Sequence, residues 1–178
     1  ELGKFDVIES GGVLHHLDEP MRGWKRLYSL LDEGGLMRIG LYSRLARQSV
    51  TKIREELIGQ ETKFDLDWLR EKRRQIIQSN SPHHVEMRSF RDFFSTSNVR
   101  DLIFHVNEHQ FTIEEIADCL SQLGLRFCGF EGNKKLFRVF SEQFPEEKSL
   151  YNLSAWSSFE KRNPSAFRGM YQFWCQKV

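Results

Sequence analysis

The sequence has little that would staple it or carry it through a membrane. In 178 residues there are three cysteines and four prolines, with no CxxC pair. No apolar run approaches the roughly 20 residues of a membrane span, and Glu1 does not open a charged-then-apolar leader. Cys119, Cys128 and Cys175 are too few and too widely spaced for a disulfide framework or a structural zinc site, so they read as reduced, partly buried thiols. A cytoplasmic location is therefore the default expectation. No charge of one sign dominates: 26 basic against 25 acidic residues leave a net charge of +1, and no global field draws the chain to nucleic acid or an anionic membrane. There is no GxGxxG turn, internal repeat or low-complexity tract. What is present is globular in character. The 39% apolar and 13% aromatic fractions exclude a disordered chain, and a chain of this length buries about two thirds of its unfolded surface.

The pattern reads as alternating strands and helices. Phe5 to Glu9 is a short apolar strand with a Ser10-Gly11-Gly12 exit, where backbone can approach a ligand closely. Asp18 is placed to cap a helix with Pro20 in its first turn, and Trp24, Leu27, Tyr28 and Leu31 share one face, with Gly34 as the stop. Leu36 to Tyr42 reads as a second strand, joined to the first by a crossover helix and hence parallel to it. From about 43 to 110 the character changes to charged helical segments, with Arg70, Lys72, Arg73 and Arg74 reading as a solvated face and 79–85 as a hinge loop. Thr112 and Glu115 form a capping box for a helix that Gly124 ends; Leu125 to Glu131 follows as a strand. Asn133 is placed to cap a helix that stops at Pro145, another helix carries Leu153, Trp156 and Phe159, and Tyr171 to Lys177 alternates as a last strand.

The strand FDVI, the following VLHHL-D-P, the LLDEGGL turn before LMRIGLYS, and the strand FWCQK together resemble class I S-adenosylmethionine-dependent methyltransferases. The stretches GLYSRLAR, RDLIFHVNEH and MYQFWCQK are similar to bacterial methyltransferase domains often fused to tetratricopeptide repeats. The resemblance implies an α/β fold: a partial Rossmann-like sheet holding strands four to seven, the last antiparallel, with a helical insertion over about 43–110. It implies that 1–178 is the C-terminal half of one domain whose glycine-rich cofactor turn lies upstream, so that the fragment alone is expected to be inactive. In such folds the cofactor lies across the carboxyl ends of the strands. Carried over, Glu9, Ser10, Gly11 and Gly12 lie beside the methionine part of S-adenosylmethionine, with Val13 and Leu14 beneath it.

His15 matches the position of a histidine general base in similar plant O-methyltransferases, where an imidazole of pKa about 6.5 takes a hydroxyl proton as the oxygen attacks the methyl group. The alternative is that the His15-His16 pair fixes the loop through hydrogen bonds. Tyr42 and Ser43, at the end of the second strand, are acceptor-pocket candidates, against a tyrosine that simply packs at a strand terminus. His105, Glu108 and His109 are candidates for the acceptor side.

The same residues match another chemistry. HVNEH, 105–109, has the form H-x-x-E-H, an inverted zinc-protease signature that needs both histidines on one helix face and a further acidic ligand, for which Glu114, Glu115 and Glu131 are candidates. A non-catalytic partner-binding module is the third reading. His83 and His84 show no ligand partner in sequence. The methyl acceptor is unidentified, and an uncovered side of the first strand is expected to make the fragment a homo-oligomer, as a dimer.

Overall fold

The computed structural model describes residues 3–57, 66–104 and 107–178. In chain order the elements are β1 (Phe5–Gly11), a 3-10 turn (Leu14–His16), α1 (Pro20–Leu30), β2 (Leu31–Leu41), α2 (Gln48–Leu57), α3 (Leu66–Gln78), α4 (Pro82–Met87) and a 3-10 turn (Arg91–Phe94). There follow α5 (Thr96–Phe104), α6 (Ile113–Leu123), β3 (Leu125–Phe130), α7 (Lys134–Gln143), a 3-10 turn (Glu147–Tyr151), α8 (Leu153–Arg162) and β4 (Tyr171–Lys177). They form two compact units, Glu1–Ala46 with Asn107–Val178, and Arg47–Val106. Residues 43–46 and 107–110, read in sequence as part of the insertion, belong to the first unit.

The first unit is built on a sheet of order β1-β2-β4-β3. β1 and β2 are parallel, and β4 runs antiparallel between β2 and β3. The register puts Met37 opposite Cys175, Ile39 opposite Phe173 and Leu41 opposite Tyr171, so these six buried residues share one face. That face joins a core with Trp24 of α1, Ile116 of α6, Phe140 of α7 and Trp156 of α8. The other face is polar at its centre. Arg38 donates to both Glu131 carboxylate oxygens at 2.9 and 2.7 Å and to Gln172 Oε1 at 3.1 Å. Trp174 Nε1 donates to Glu131 Oε1 at 2.6 Å. The Arg38 guanidinium holds the Glu131 carboxyl below the ordinary carboxylate range. β1 is the sheet edge, with Phe5 and Val7 exposed.

Local chemistry explains most of the boundaries. The capping box forms: Glu115 N–H donates to Thr112 Oγ1 at 3.2 Å and Thr112 N–H to Glu115 Oε2 at 2.8 Å, while Gly124 closes α6 in the left-handed conformation. Asn133 caps α7 and Asn152 caps α8 through their side-chain oxygens. Several expectations need correction. β1 extends through Ser10 and Gly11, because Ser10 and Gly11 still pair with Ile39 and Gly40. Asp18 does not cap α1; Glu19 precedes the helix without a side-chain bond, and Asp18 accepts from the Asn107 side chain. α1 ends at Leu30 because Leu31 is extended, buried and paired with Phe5; Gly34 therefore lies in an irregular start of β2 rather than at a helix stop.

The helical unit has its own core, including Val50, Ile53, Ile76, Met87, Phe93 and Val99. In the basic run on α3, Arg70 and Arg74 are exposed and pair with Asp67 at 3.0 Å and Glu71 at 2.5 Å, while Lys72 and Arg73 are half-buried. The loop expected over 79–85 is confined to 79–81, since Pro82 occupies the first turn of α4, a position its fixed φ suits. His83 and His84 are thus helical, and both reach Glu56 of α2. Among the described residues no helix is long and apolar enough to cross a membrane.

The sheet depends on Phe173, fully buried against Trp24, Phe127 and Phe130. Phe173→Ala is expected to destabilise the protein by about 3–5 kcal/mol in urea unfolding; a loss under about 1 kcal/mol would show that the core does not rest on this ring.

Candidate functional site

The carboxyl ends of β1 and β2 meet without side chains between them. Gly11 pairs with Gly40, and Gly12 N–H donates to the Gly40 carbonyl at 3.3 Å. Gly12 has φ +74°, which L side chains adopt only with strain. A Cβ on Gly40 would lie 2.8 Å from Met170 Sδ and 3.0 Å from Gly11 Cα, so that position has no room for a side chain. Around this bare turn Glu9 and Val13 are exposed, Gly12 is half-buried, and Ser10 and Leu14 are buried. Leu14 belongs to the core, which anchors the loop from below.

The next residues form a histidine-rich turn. The His15 ring is fully buried, stacked on Tyr42 with centroids 3.9 Å apart and planes at 28°, and edge-on to His16 at 4.3 Å. His16 Nδ1 donates to the Asn107 carbonyl at 2.8 Å. The His15 carbonyl accepts from His109 N–H at 2.8 Å, and the Tyr42 carbonyl from Phe111 N–H at 2.9 Å. The segment 107–111 is therefore laced by backbone bonds to both the histidine turn and the end of β2. This brings His15, Tyr42, Glu108 and His109 into one neighbourhood; His105 lies outside the described residues. Glu108 accepts from Gln110 Nε2 at 3.0 Å.

Ser43 points inward. Its hydroxyl donates to Glu160 Oε1 at 2.6 Å and accepts from Ala46 N–H at 3.0 Å, and the residue is buried. Tyr171 donates its phenol proton to the same carboxylate, with oxygens at 2.8 and 2.7 Å. Burial pushes the Glu160 carboxyl above its ordinary value and the Tyr171 phenol likewise. Sequence reading missed Glu160, which stands in an amphipathic helix with no local signal beyond being an acid one turn after Trp156.

The zinc-protease geometry does not form. Residues 107–110 are not helical, so Glu108 and His109 lie off any helix face. The acidic candidates are committed elsewhere: Glu115 to Arg44 at 2.7 and 2.9 Å, Glu131 to Arg38, and Glu114 to Ser157 and Lys161, each at 2.6 Å. Hydrogen bonding from Lys161 and then Ser157 lowers the Glu114 carboxyl to about 2.

No family model matches the chain. It is 27% identical over 166 residues to an uncharacterised protein of Synechococcus sp., covering 88% of this chain and 40% of that protein. Among solved structures it is similar to PKMT2 from Rickettsia typhi, with TM-score 0.67, and to the same protein in complex with AdoHcy, with TM-score 0.66. Both matches have 16% identity and cover 98% of this chain and 36% of the other. The likeness is one of fold. The chain thus spans less than half the length of these proteins.

The buried carboxylate gives the site a measurable signature. A carboxyl whose folded pKa lies above its unfolded value of about 4.3 contributes stability that is full below that pH and is lost as pH rises through the folded value. Stability is therefore expected to fall on this account as pH rises from about 4, and Glu160→Gln, which keeps an acceptor oxygen, is expected to flatten that slope in denaturant titrations. An unchanged slope would mean Glu160 titrates normally. Glu160→Ala, which strands the Ser43 and Tyr171 hydroxyls, is expected to cost about 2–4 kcal/mol.

Proposed function

We propose that this chain forms part of an S-adenosylmethionine-dependent methyltransferase domain, supplying strands four to seven of its sheet, and that methyl transfer is the activity of the whole protein that contains it. The observation that supports this reading is the match over 98% of the chain, at TM-score 0.66, to a protein solved with AdoHcy, the product left when the cofactor has given up its methyl group. The bare glycine turn is the feature of this chain that fits such a ligand, since Gly11 and Gly12 allow backbone approach at the carboxyl ends of two parallel strands.

S-adenosylmethionine supplies an electrophilic sulfonium methyl group. The chain's own residues bind and align. Glu9 to Gly12 line the methionine side, with Val13 and Leu14 under it. His15 acts as a positioning residue: its ring is locked between Tyr42 and His16, and the backbone bond from His109 fixes its carbonyl. Its full burial favours this over contact with an acceptor hydroxyl. Tyr42, half-buried at the end of β2, and the adjoining Glu108 and His109 form the acceptor side, while Ser43 supports that end of β2 from within. The acceptor itself is unidentified. Transfer to an activated methyl donor needs mostly alignment and exclusion of water, which a rigid loop provides.

Titration of AdoHcy into the protein carrying this chain is expected to show binding that Gly12→Val weakens at least about tenfold, or about 1.4 kcal/mol. Absence of binding, or equal binding by the variant, would overturn the assignment. His15→Gln separates the two roles of the histidine: a positioning residue raises the cofactor KM and leaves the pH profile of kcat in place. Loss of the acidic limb of that profile at unchanged KM would make His15 the general base.

A further inference from the structure

The helical unit contains a cluster independent of the reading above. Glu56 stands near the end of α2 and His83 and His84 at the start of α4. His83 Nε2 lies 2.5 Å from Glu56 Oε1 and His84 Nε2 2.8 Å from Glu56 Oε2. One ligand atom from each of the three residues falls within 4.8 Å of the others. The two rings meet edge to face with centroids 4.5 Å apart.

The support is rigid on both sides. Val50, Ile53 and Leu57 of α2 and Met87 of α4 are buried in the same core, and Ser49 bonds to Glu86 across the same helix pair. The pairing of 49 with 86 and of 56 with 83 and 84 means the two helices pass in opposite directions. The imidazoles are only 19% and 15% exposed, whereas Glu56 is 45% exposed and keeps one side to solvent. Burial opposes ionisation of Glu56, yet hydrogen bonds and charge from the two histidines hold its carboxyl below the ordinary value.

A simple ion pair needs one imidazolium. Two adjacent imidazoles on one carboxylate cannot both carry charge without mutual repulsion, while two neutral Nε2 lone pairs and a carboxylate are a donor set for a borderline divalent ion rather than for magnesium or calcium. We propose that Glu56, His83 and His84 bind one divalent transition-metal ion of the zinc class, clasping α2 to α4. Tetrahedral zinc with ligand bonds near 2.0–2.1 Å needs donor atoms about 3.3 Å apart. The present contacts would open by about 0.5–0.8 Å, which rotation of the half-exposed Glu56 side chain supplies. Three protein ligands leave the fourth position to water.

Zinc is titrated into the metal-free chain at neutral pH against a chromophoric chelator, and cobalt(II) is used for its visible spectrum. The expected result is one zinc per chain, a cobalt spectrum of tetrahedral type, and a melting temperature that zinc raises. Glu56→Gln, nearly isosteric, is expected to weaken zinc at least about tenfold, and the His83→Ala/His84→Ala pair to abolish stoichiometric binding. Binding unchanged in Glu56→Gln would leave the carboxylate outside the site and overturn the proposal, as would no stoichiometric binding by the unsubstituted chain. Circular dichroism and metal-free melting temperatures of the variants separate loss of ligand from loss of fold; if the histidine pair does not fold, Glu56→Gln alone decides.

Discussion

Everything in the sheet unit depends on β4 lying between β2 and β3. Antiparallel to both, it closes ladders with strands that are far apart in sequence, and its alternation puts Tyr171, Phe173 and Cys175 on the helix side and Gln172, Trp174 and Gln176 on the other. The helix side is an aromatic interior. Phe173, Phe130, Phe167, Trp156 and Phe140 touch in sequence around the core, with Phe140 stacked on Trp156 at 3.7 Å. The opposite side is held by charge: Trp174 and Arg38 converge on Glu131, so the same strand is fixed by packing on one face and by directed hydrogen bonds on the other.

That placement reaches the candidate site through Tyr171. As the first residue of β4 it pairs with Leu41 and gives its phenol to Glu160, which also holds Ser43. Ser43 in turn forms a bridge with Phe111, and Phe111 bonds to Tyr42 and Arg44 on either side of it. The end of β2, the start of the capping segment of α6 and the histidine turn are consequently one hydrogen-bonded body. The buried Glu160 carboxylate fixes the end of β2 through Ser43 and the start of β4 through Tyr171, while Leu14 and the His15 ring are buried behind the glycine turn.

The legible parts of this fold were those whose cause is local. The Thr112–Glu115 box, the caps at Asn133, and the alternation of Tyr171 to Lys177 each act within a few residues, and each stands where the pattern predicts it. The resemblance motifs also lead to the right sheet neighbourhood, since FDVI and LMRIG are adjacent parallel strands. What the pattern misjudged was decided by distant partners. Leu31 satisfies a helical period, yet its backbone pairs with Phe5. Ser43 reads as a pocket residue until Glu160, far along the chain, is seen to bind it. The HVNEH pattern carries metal-binding residue types, but 107–110 is held in backbone bonds to the histidine turn and has no helix to give the required spacing.

The contrast between the two histidine pairs follows from their surroundings. The His15 ring stacks on Tyr42 and His16 Nδ1 donates to the Asn107 carbonyl, so one imidazole packs and the other anchors. His83 and His84 have a carboxylate at hydrogen-bond distance from both Nε2 atoms and a half-exposed approach. Adjacent residues in a strand would point to opposite sides. In the first turn of a helix two neighbours can turn their rings towards one acceptor on a packed helix, and it is the Pro82 start of α4 that puts them there. The dipeptide is the same in both places; the element around it decides whether the pair serves as packing or as a set of ligands.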